Sequence, residues 1–191
     1  MSGVTNNLIK KSSEISSNFS ESEHDVLVSS GEQMACSLIA GRLIHKGYKS
    51  RSWLSWQVPI ITLGPYKNSR INQISKNNIV KYLKEGGIPI ITGFQGVNNE
   101  NRITTIGRGG SDASAIMVAK FFKAKRCIIY TDVEGVYTTD PNKLKKAKKI
   151  KLISYEEMLE MASLGAKVMQ PTSIQDARLN RINIDVKSSF I

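Results

Sequence analysis

The six residues Gly107-Arg108-Gly109-Gly110-Ser111-Asp112 carry the strongest chemical signal in the chain. Glycines let a backbone approach a ligand and turn successive N–H groups toward an anion, and a helix starting there adds its positive end. Arg108 offers a planar fork suited to a carboxylate or phosphate, and Asp112 can receive an ammonium. A simple glycine turn with Asp112 as N-cap uses the same residues. A second stretch, Thr131-Asp132-Val133-Glu134-Gly135-Val136-Tyr137 running into Asp140-Pro141-Asn142, sets a hydroxyl, a carboxylate and an aromatic ring at a strand end. That set suits a purine and ribose, or else is a buried tyrosine beside a turn aspartate. Ser29-Ser30-Gly31-Glu32 reads as a strand-to-helix turn, with Glu32 either a ligand group or a favourable acid in a first helical turn. Gly165-Ala166-Lys167-Val168 puts a lysine near a helix interruption, where it neutralises a phosphate or lies on the surface.

Other chemistries lack their residues. Neither a Walker A loop nor a dinucleotide GxGxxG occurs, so a P-loop ATPase and a Rossmann dehydrogenase are disfavoured. His24 and His45 stand far from the glycine loops, and no nucleophile triad or metal-ligand cluster presents itself. Cys36 and Cys127 belong to no CxxC pair and read as buried reduced thiols.

Strands alternating with helices would position these loops. Asp25 to Val28 reads as a short strand, followed by a helix carrying Met34, Ala35, Leu38, Ile39 and Ile44 up to Gly47. Residues 12–25, rich in Ser and Glu, read as a loop or weak helix. Arg51 to Thr62 contains Pro59 and reads as two short strands. Ser75 to Glu85 is a helix ended by Gly86-Gly87, feeding a strand from Ile88 to Thr92, then a hairpin turning at Asn98 to Asn101. A helix from about Ala113 to Phe122 leads to a strand from Arg126 to Thr131. Ser154 and Glu157 form a capping box, Pro171 opens another helix, and Ile182 to Val186 is the last strand. This rhythm predicts an α/β three-layer sandwich with a mainly parallel sheet, in which ligands gather beyond the carboxyl ends of the strands.

Length and composition fit that expectation. At 191 residues, 40% hydrophobic and 23% charged, the chain suits one domain with a core and excludes wholesale disorder. No apolar run reaches bilayer-spanning length and residues 1–11 lack a secretory pattern, so a cytoplasmic protein without a membrane partner is expected. Lysine and arginine number 27 against 16 acids, a net +11. Much of the excess lies in Lys143, Lys145, Lys146, Lys148, Lys149 and Lys151, a run without an aromatic residue to stack on a base. It reads as a solvated surface segment, and no nucleic-acid partner is expected.

Taken together, Met1 to Asn6, Ser30-Gly31-Glu32, Gly93-Phe94-Gln95-Gly96, Gly107 to Asp112, Thr131 to Pro141 and Gly165 to Val168 resemble the catalytic domain of aspartate kinases, in the amino acid kinase family. The resemblance covers the whole chain, 1–191, as one partial catalytic domain. It implies transfer of the ATP γ-phosphoryl group to the side-chain carboxylate of L-aspartate, with Mg²⁺ on the phosphates. Thr5, Glu32, Arg108, Gly109, Gly110 and Ser111 match aspartate-holding positions, and Asp112 and Lys167 match catalytic ones. Thr131, Asp132, Tyr137, Asn142 and Lys167 match nucleotide-holding positions. Family members begin with a strand and a Lys-Phe-Gly-Gly-Thr-Ser segment, and this chain starts after that point, so the fold is expected to lack its first strand. Asn142 stands where the family has Arg and Gln170 where it has His; the first weakens phosphate binding. Regulatory domains, which normally follow, are not expected, nor is feedback by lysine or threonine. A homodimer, or pairing with another kinase subunit, fits the family. The competing reading is a remnant or split-enzyme subunit that binds ligand without turnover.

Overall fold

The computed structural model describes residues 3–141, 143–166 and 168–190. Two compact units divide the chain, the first running through Gly110 and the second from Ser111 onward. The first contains α1 (Val4–Ile15), α2 (Glu21–His45), β1 (Ser50–Trp53), β2 (Ile60–Leu63), β3 (Arg70–Ile74), α3 (Asn77–Lys84), β4 (Ile88–Ile91), β5 (Gln95–Val97) and β6 (Ile103–Thr105). At the boundary α4 (Gly110–Phe121) begins, and the second unit continues with β7 (Cys127–Thr131), α5 (Tyr155–Ser163), α6 (Pro171–Asn180) and β8 (Ile184–Ser188). Among the described residues no helix is long and apolar enough to cross a membrane.

Parallel pairing dominates between strands that are distant in sequence. β1 runs parallel to β4, from Ser50 beside Ile88 to Trp53 beside Ile91, and β7 runs parallel to β8, from Cys127 beside Ile184 to Thr131 beside Ser188. β2 pairs β5 in parallel at Ile61 and Val97, with β3 and β6 added antiparallel at the edges of that sheet. The β5–β6 hairpin turns where expected: Asn98 Oδ1 accepts the N–H groups of Glu100 and Arg102, at 3.0 and 2.9 Å. Gly96 lies inside this sheet because a Cβ there would stand 2.6 Å from the Ile60 carbonyl oxygen.

The largest departure from the sequence reading is α2. Asp25 to Val28 is not a strand, and Ser29 to Glu32 is not a turn; all belong to one helix of 25 residues. Asp25, Val28, Ser29, Cys36 and Ala40 repeat at helical spacing and are buried together, a face that the Ser-Ser-Gly sequence disguises. Gly31 serves packing here: a Cβ would lie 3.1 Å from Val4 Cγ1, so its absence lets α1 lie close against α2. Residues 12–25 accordingly divide into the end of α1, a non-helical joint over 16–20 and the first turns of α2.

Asp25 is 0% exposed and organises the first unit. Its carboxylate accepts the Lys67 N–H at 2.9 Å, the Thr105 N–H at 2.7 Å and the Thr105 hydroxyl at 2.8 Å. Lys67 sits at φ 63, a left-handed backbone that a residue other than glycine adopts only when held there. Gln95, also fully buried, makes a second tie: its side-chain N–H donates to the Ser29 carbonyl at 3.2 Å and its Oε1 accepts from Gln33 at 3.2 Å.

In the second unit Ile116 and Ala119 of α4 pack with Cys127 and Ile129 of β7 and with Ile174 and Ala177 of α6. The capping box is complete, with Ser154 Oγ accepting the Glu157 N–H at 3.2 Å and Glu157 accepting the Ser154 N–H at 2.8 Å.

Asp25→Ala leaves the two buried donors of Thr105 and the part-buried Lys67 N–H without their acceptor, so it is expected to cost about 3 kcal/mol of unfolding free energy. Urea unfolding of the variant beside the parent measures this, and a loss below about 1 kcal/mol would contradict the role assigned to the carboxylate.

Candidate active site

Sterics build the Gly107 loop. Gly107 and Gly109 stand at φ 81 and 72, in the left-handed region. A Cβ on Gly107 would fall 2.9 Å from the Lys67 carbonyl oxygen, and one on Gly110 would fall 2.8 Å from Phe94 Cδ2. The Gly110 N–H closes the turn on the Gly107 carbonyl at 3.0 Å, leaving Arg108 exposed at its tip. The helix then starts at Gly110 rather than Ala113, so Ser111 and Asp112 lie in its first turn. Ser111 is exposed and Asp112 half-buried, and burial raises the Asp112 carboxyl above its ordinary 3.8.

Glu32 lies within α2, half-buried, and burial raises its carboxyl above the ordinary 4.5. One turn further on, Cys36 is pushed up to about 11 by burial and then by the Glu32 charge. Thr5 occupies the first turn of α1, and the close approach of Val4 to Gly31 brings the Thr5 and Glu32 segments together.

The second unit presents the Thr131 to Tyr137 stretch at the end of β7. Thr131 Oγ1 donates to Asp132 Oδ1 at 3.1 Å, and the Tyr137 hydroxyl donates to Glu134 Oε2 at 3.4 Å. Burial and then the Glu134 charge raise the Tyr137 phenol. Tyr137 pairs antiparallel with Lys149, flanked by the Ile150 N–H donating to Val136 at 2.8 Å and the Thr138 N–H donating to Lys148 at 3.0 Å. The lysine run therefore begins in a turn and returns along the Tyr137 segment, with all six lysines exposed. Asn142 and Lys167 lie outside the described residues.

Sequence reasoning gave Asp25 no role of its own and named Gln95 only within the Gly93 to Gly96 stretch; for Asp25 a signal existed. The available signal was the spacing of Asp25, Ser29, Cys36 and Ala40, which places them on one helical face.

Residues 1–188 match the family model for the amino acid kinase family. The chain belongs to the amino acid kinase family. Among members of that family it is 47% identical to the aspartokinase of Rickettsia felis over 193 aligned residues, covering 100% of this chain and 48% of that protein. The aspartate kinase structure from Synechocystis gives a TM-score of 0.85 at 37% identity, covering 100% of this chain and 31% of that one. E. coli aspartokinase III, solved in complex with aspartate and ADP, gives 0.84 at 32% identity, covering 96% of this chain and 42% of that one. The chain spans about half the length of the curated relatives it matches. Its fold is the α/β fold of amino acid kinases.

Two outcomes follow from the shifted groups of this family member. A carboxyl whose folded pKa is raised contributes a penalty that is absent below its unfolded value and grows as pH rises through the folded one. Asp112→Asn should therefore gain stability relative to the parent between pH 3 and pH 7, by less than about 1 kcal/mol because the half-buried group is still partly screened by solvent. Unfolding curves at the two pH values check the sign, and a difference that does not change with pH would contradict it. Burial also raises the Cys127 thiol, with the Asp112 charge adding to it. Both thiols should react with an aromatic disulfide at pH 8 far more slowly in the folded chain than after unfolding in urea, as absorbance of the released thiolate reports.

Proposed function

We propose that this chain carries the catalytic machinery of an aspartate kinase, passing the γ-phosphoryl group of MgATP to the side-chain carboxylate of L-aspartate. The carboxylate oxygen forms the new bond to the γ-phosphorus, the bond to the β,γ-bridging oxygen breaks, and the products are ADP and 4-phospho-L-aspartate. The observation that carries this reading is the Gly107 to Asp112 segment: a glycine turn with an exposed guanidinium at its tip and a half-buried carboxylate in the helical turn behind it. L-Aspartate has two carboxylates and one ammonium, and those are the groups such a set complements.

In this reading Arg108 holds the α-carboxylate, and Gly109, Gly110 and Ser111 line the same end of the substrate. Glu32 and Asp112 receive the ammonium. Both carboxyls are raised by burial, so an arriving cation stabilises their charged forms. Thr5 adds a hydroxyl to the same pocket. Thr131, Asp132, Tyr137 and Asn142 hold the nucleotide, Asn142 with an uncharged amide, while Lys167 neutralises its phosphates. Mg²⁺ arrives as part of the MgATP substrate. Phosphoryl transfer asks for positioning and charge neutralisation more than covalent chemistry, which suits a site of backbone N–H groups, one fork cation and paired acids.

Residues 1–191 are one partial catalytic domain in this proposal. The reaction is the first step toward lysine, diaminopimelate, threonine and methionine and takes place in the cytoplasm. A second copy of the chain or another kinase subunit is its protein partner in this proposal.

L-Aspartate-dependent ADP release from MgATP by the purified chain, beyond that of Asp112→Ala, is the expected result. Arg108→Ala should weaken L-aspartate binding at least about tenfold in calorimetry. A folded chain that binds neither L-aspartate nor MgATP would overturn the proposal, and binding without turnover would select the remnant reading instead.

A further inference from the structure

The first unit carries an open groove of about 420 Å³ that none of the residues assigned to aspartate or nucleotide lines. Arg51 and Trp53 project into its wall from β1, and Lys81 and Tyr82 from α3. Its aromatic walls are set in advance. Trp53 and Tyr82 meet edge to face at 5.7 Å and 68°, and the Arg51 guanidinium lies 4.2 Å from the centre of the Trp53 ring. Tyr82 is held from behind, because a Cβ on Gly87 would stand 2.4 Å from its Cε1.

The polar groups of the groove are mostly donors. Gln57 Oε1 already accepts the Leu54 N–H at 3.0 Å, which leaves the amide nitrogen for a ligand. Glu85, the acid of the groove, pairs with Lys49 at 2.9 Å, so its charge is compensated from outside the lining. Arg51 and Lys81 then leave the groove positive. Trp53 is 6% exposed, and its buried indole N–H has no acceptor among the described residues. A buried donor without an acceptor is uncommon, and this one lies enclosed behind the groove wall, where its NMR signal reports on a ligand bound against that wall.

From the pairing of fixed aromatic faces with donors and an excess of cations over the single acid of the lining, we infer that this groove is a second ligand site, for a small aromatic carboxylate. The ring lies against Tyr82 and the Arg51 guanidinium, and the carboxylate meets Lys81 and the Gln57 amide. The volume is within the range that small-molecule sites occupy. The inference does not depend on the aspartate and nucleotide roles proposed above.

The chain has two tryptophans, so two indole N–H signals report on it in nitrogen-15 NMR, and Trp56→Phe assigns them. Titration with 4-hydroxybenzoate should move the Trp53 signal saturably, with a dissociation constant of about 1 mM or tighter. Saturating L-aspartate and MgATP should not displace it. Arg51→Ala and Lys81→Ala, both at exposed positions, should each weaken binding about tenfold, and neutral 4-hydroxybenzamide should not saturate. The inference is overturned if the Trp53 signal does not saturate, if both variants bind as the parent does, or if AMP binds there and the aromatic carboxylate does not. Should Arg51→Ala fail to fold, Lys81→Ala decides alone.

Discussion

One buried carboxylate sets the geometry of the first unit. Asp25 lies in α2, fully enclosed, and takes N–H groups from Lys67 and Thr105, residues distant from it in sequence. A buried charge persists only where donors surround it, so the loop around Lys67 and the end of β6 have to stand where the carboxylate can reach them. The Lys67 carbonyl in turn forms the floor on which Gly107 rests, close enough to exclude a side chain there. The turn presenting Arg108 is therefore positioned through two intermediates by a residue that faces no ligand. This also explains the left-handed backbone of Lys67, since its N–H is held by the Asp25 carboxylate.

Carboxyl burial recurs at the proposed substrate groups. Glu32 and Asp112 are each half-buried in a helix, and desolvation raises both. Desolvation disfavours the charged form of an acid until a cation arrives, and then magnifies the attraction. Such groups discriminate for an ammonium-bearing substrate more sharply than exposed acids would. Arg108, by contrast, is exposed and can swing over a carboxylate without first losing its hydration. The residues proposed for the nucleotide follow a third pattern, a strand end whose tyrosine is tethered to Glu134 and whose segment is braced by the returning lysine run.

The groove beside β1 solves a different recognition problem with different materials. There the fixed elements are aromatic rings, edge to face and backed by Gly87, while the cations lie at the margin on exposed side chains. A backbone turn selects by close approach, and an aromatic wall selects by flat apolar surface. Both depend on a glycine whose missing side chain admits a neighbour.

Much of this was legible from residue types and spacing. The glycine turn at Gly107, the helix stop at Gly47, the two short strands around Pro59, the hairpin at Asn98 and the Ser154 capping box are local devices, governed by dihedral preference and hydrogen bonds within a few residues. The motifs at Gly107 to Asp112 and Thr131 to Pro141 likewise pointed to their family from sequence alone. The nature of α2 was not legible. Val26, Leu27 and Val28 favour a strand and Ser29-Ser30-Gly31 favours a turn, yet packing against α1 and the donors gathered around Asp25 make the whole stretch helical. Local preference amounts to tenths of a kcal/mol per residue, whereas a buried carboxylate with several hydrogen bonds is worth kilocalories. The sequence by itself determined which side chains are available for chemistry and where the chain turns. Tertiary structure decided the helix that carries Glu32, the hidden role of Asp25 and the groove around Trp53, because each depends on contacts between residues far apart in the chain.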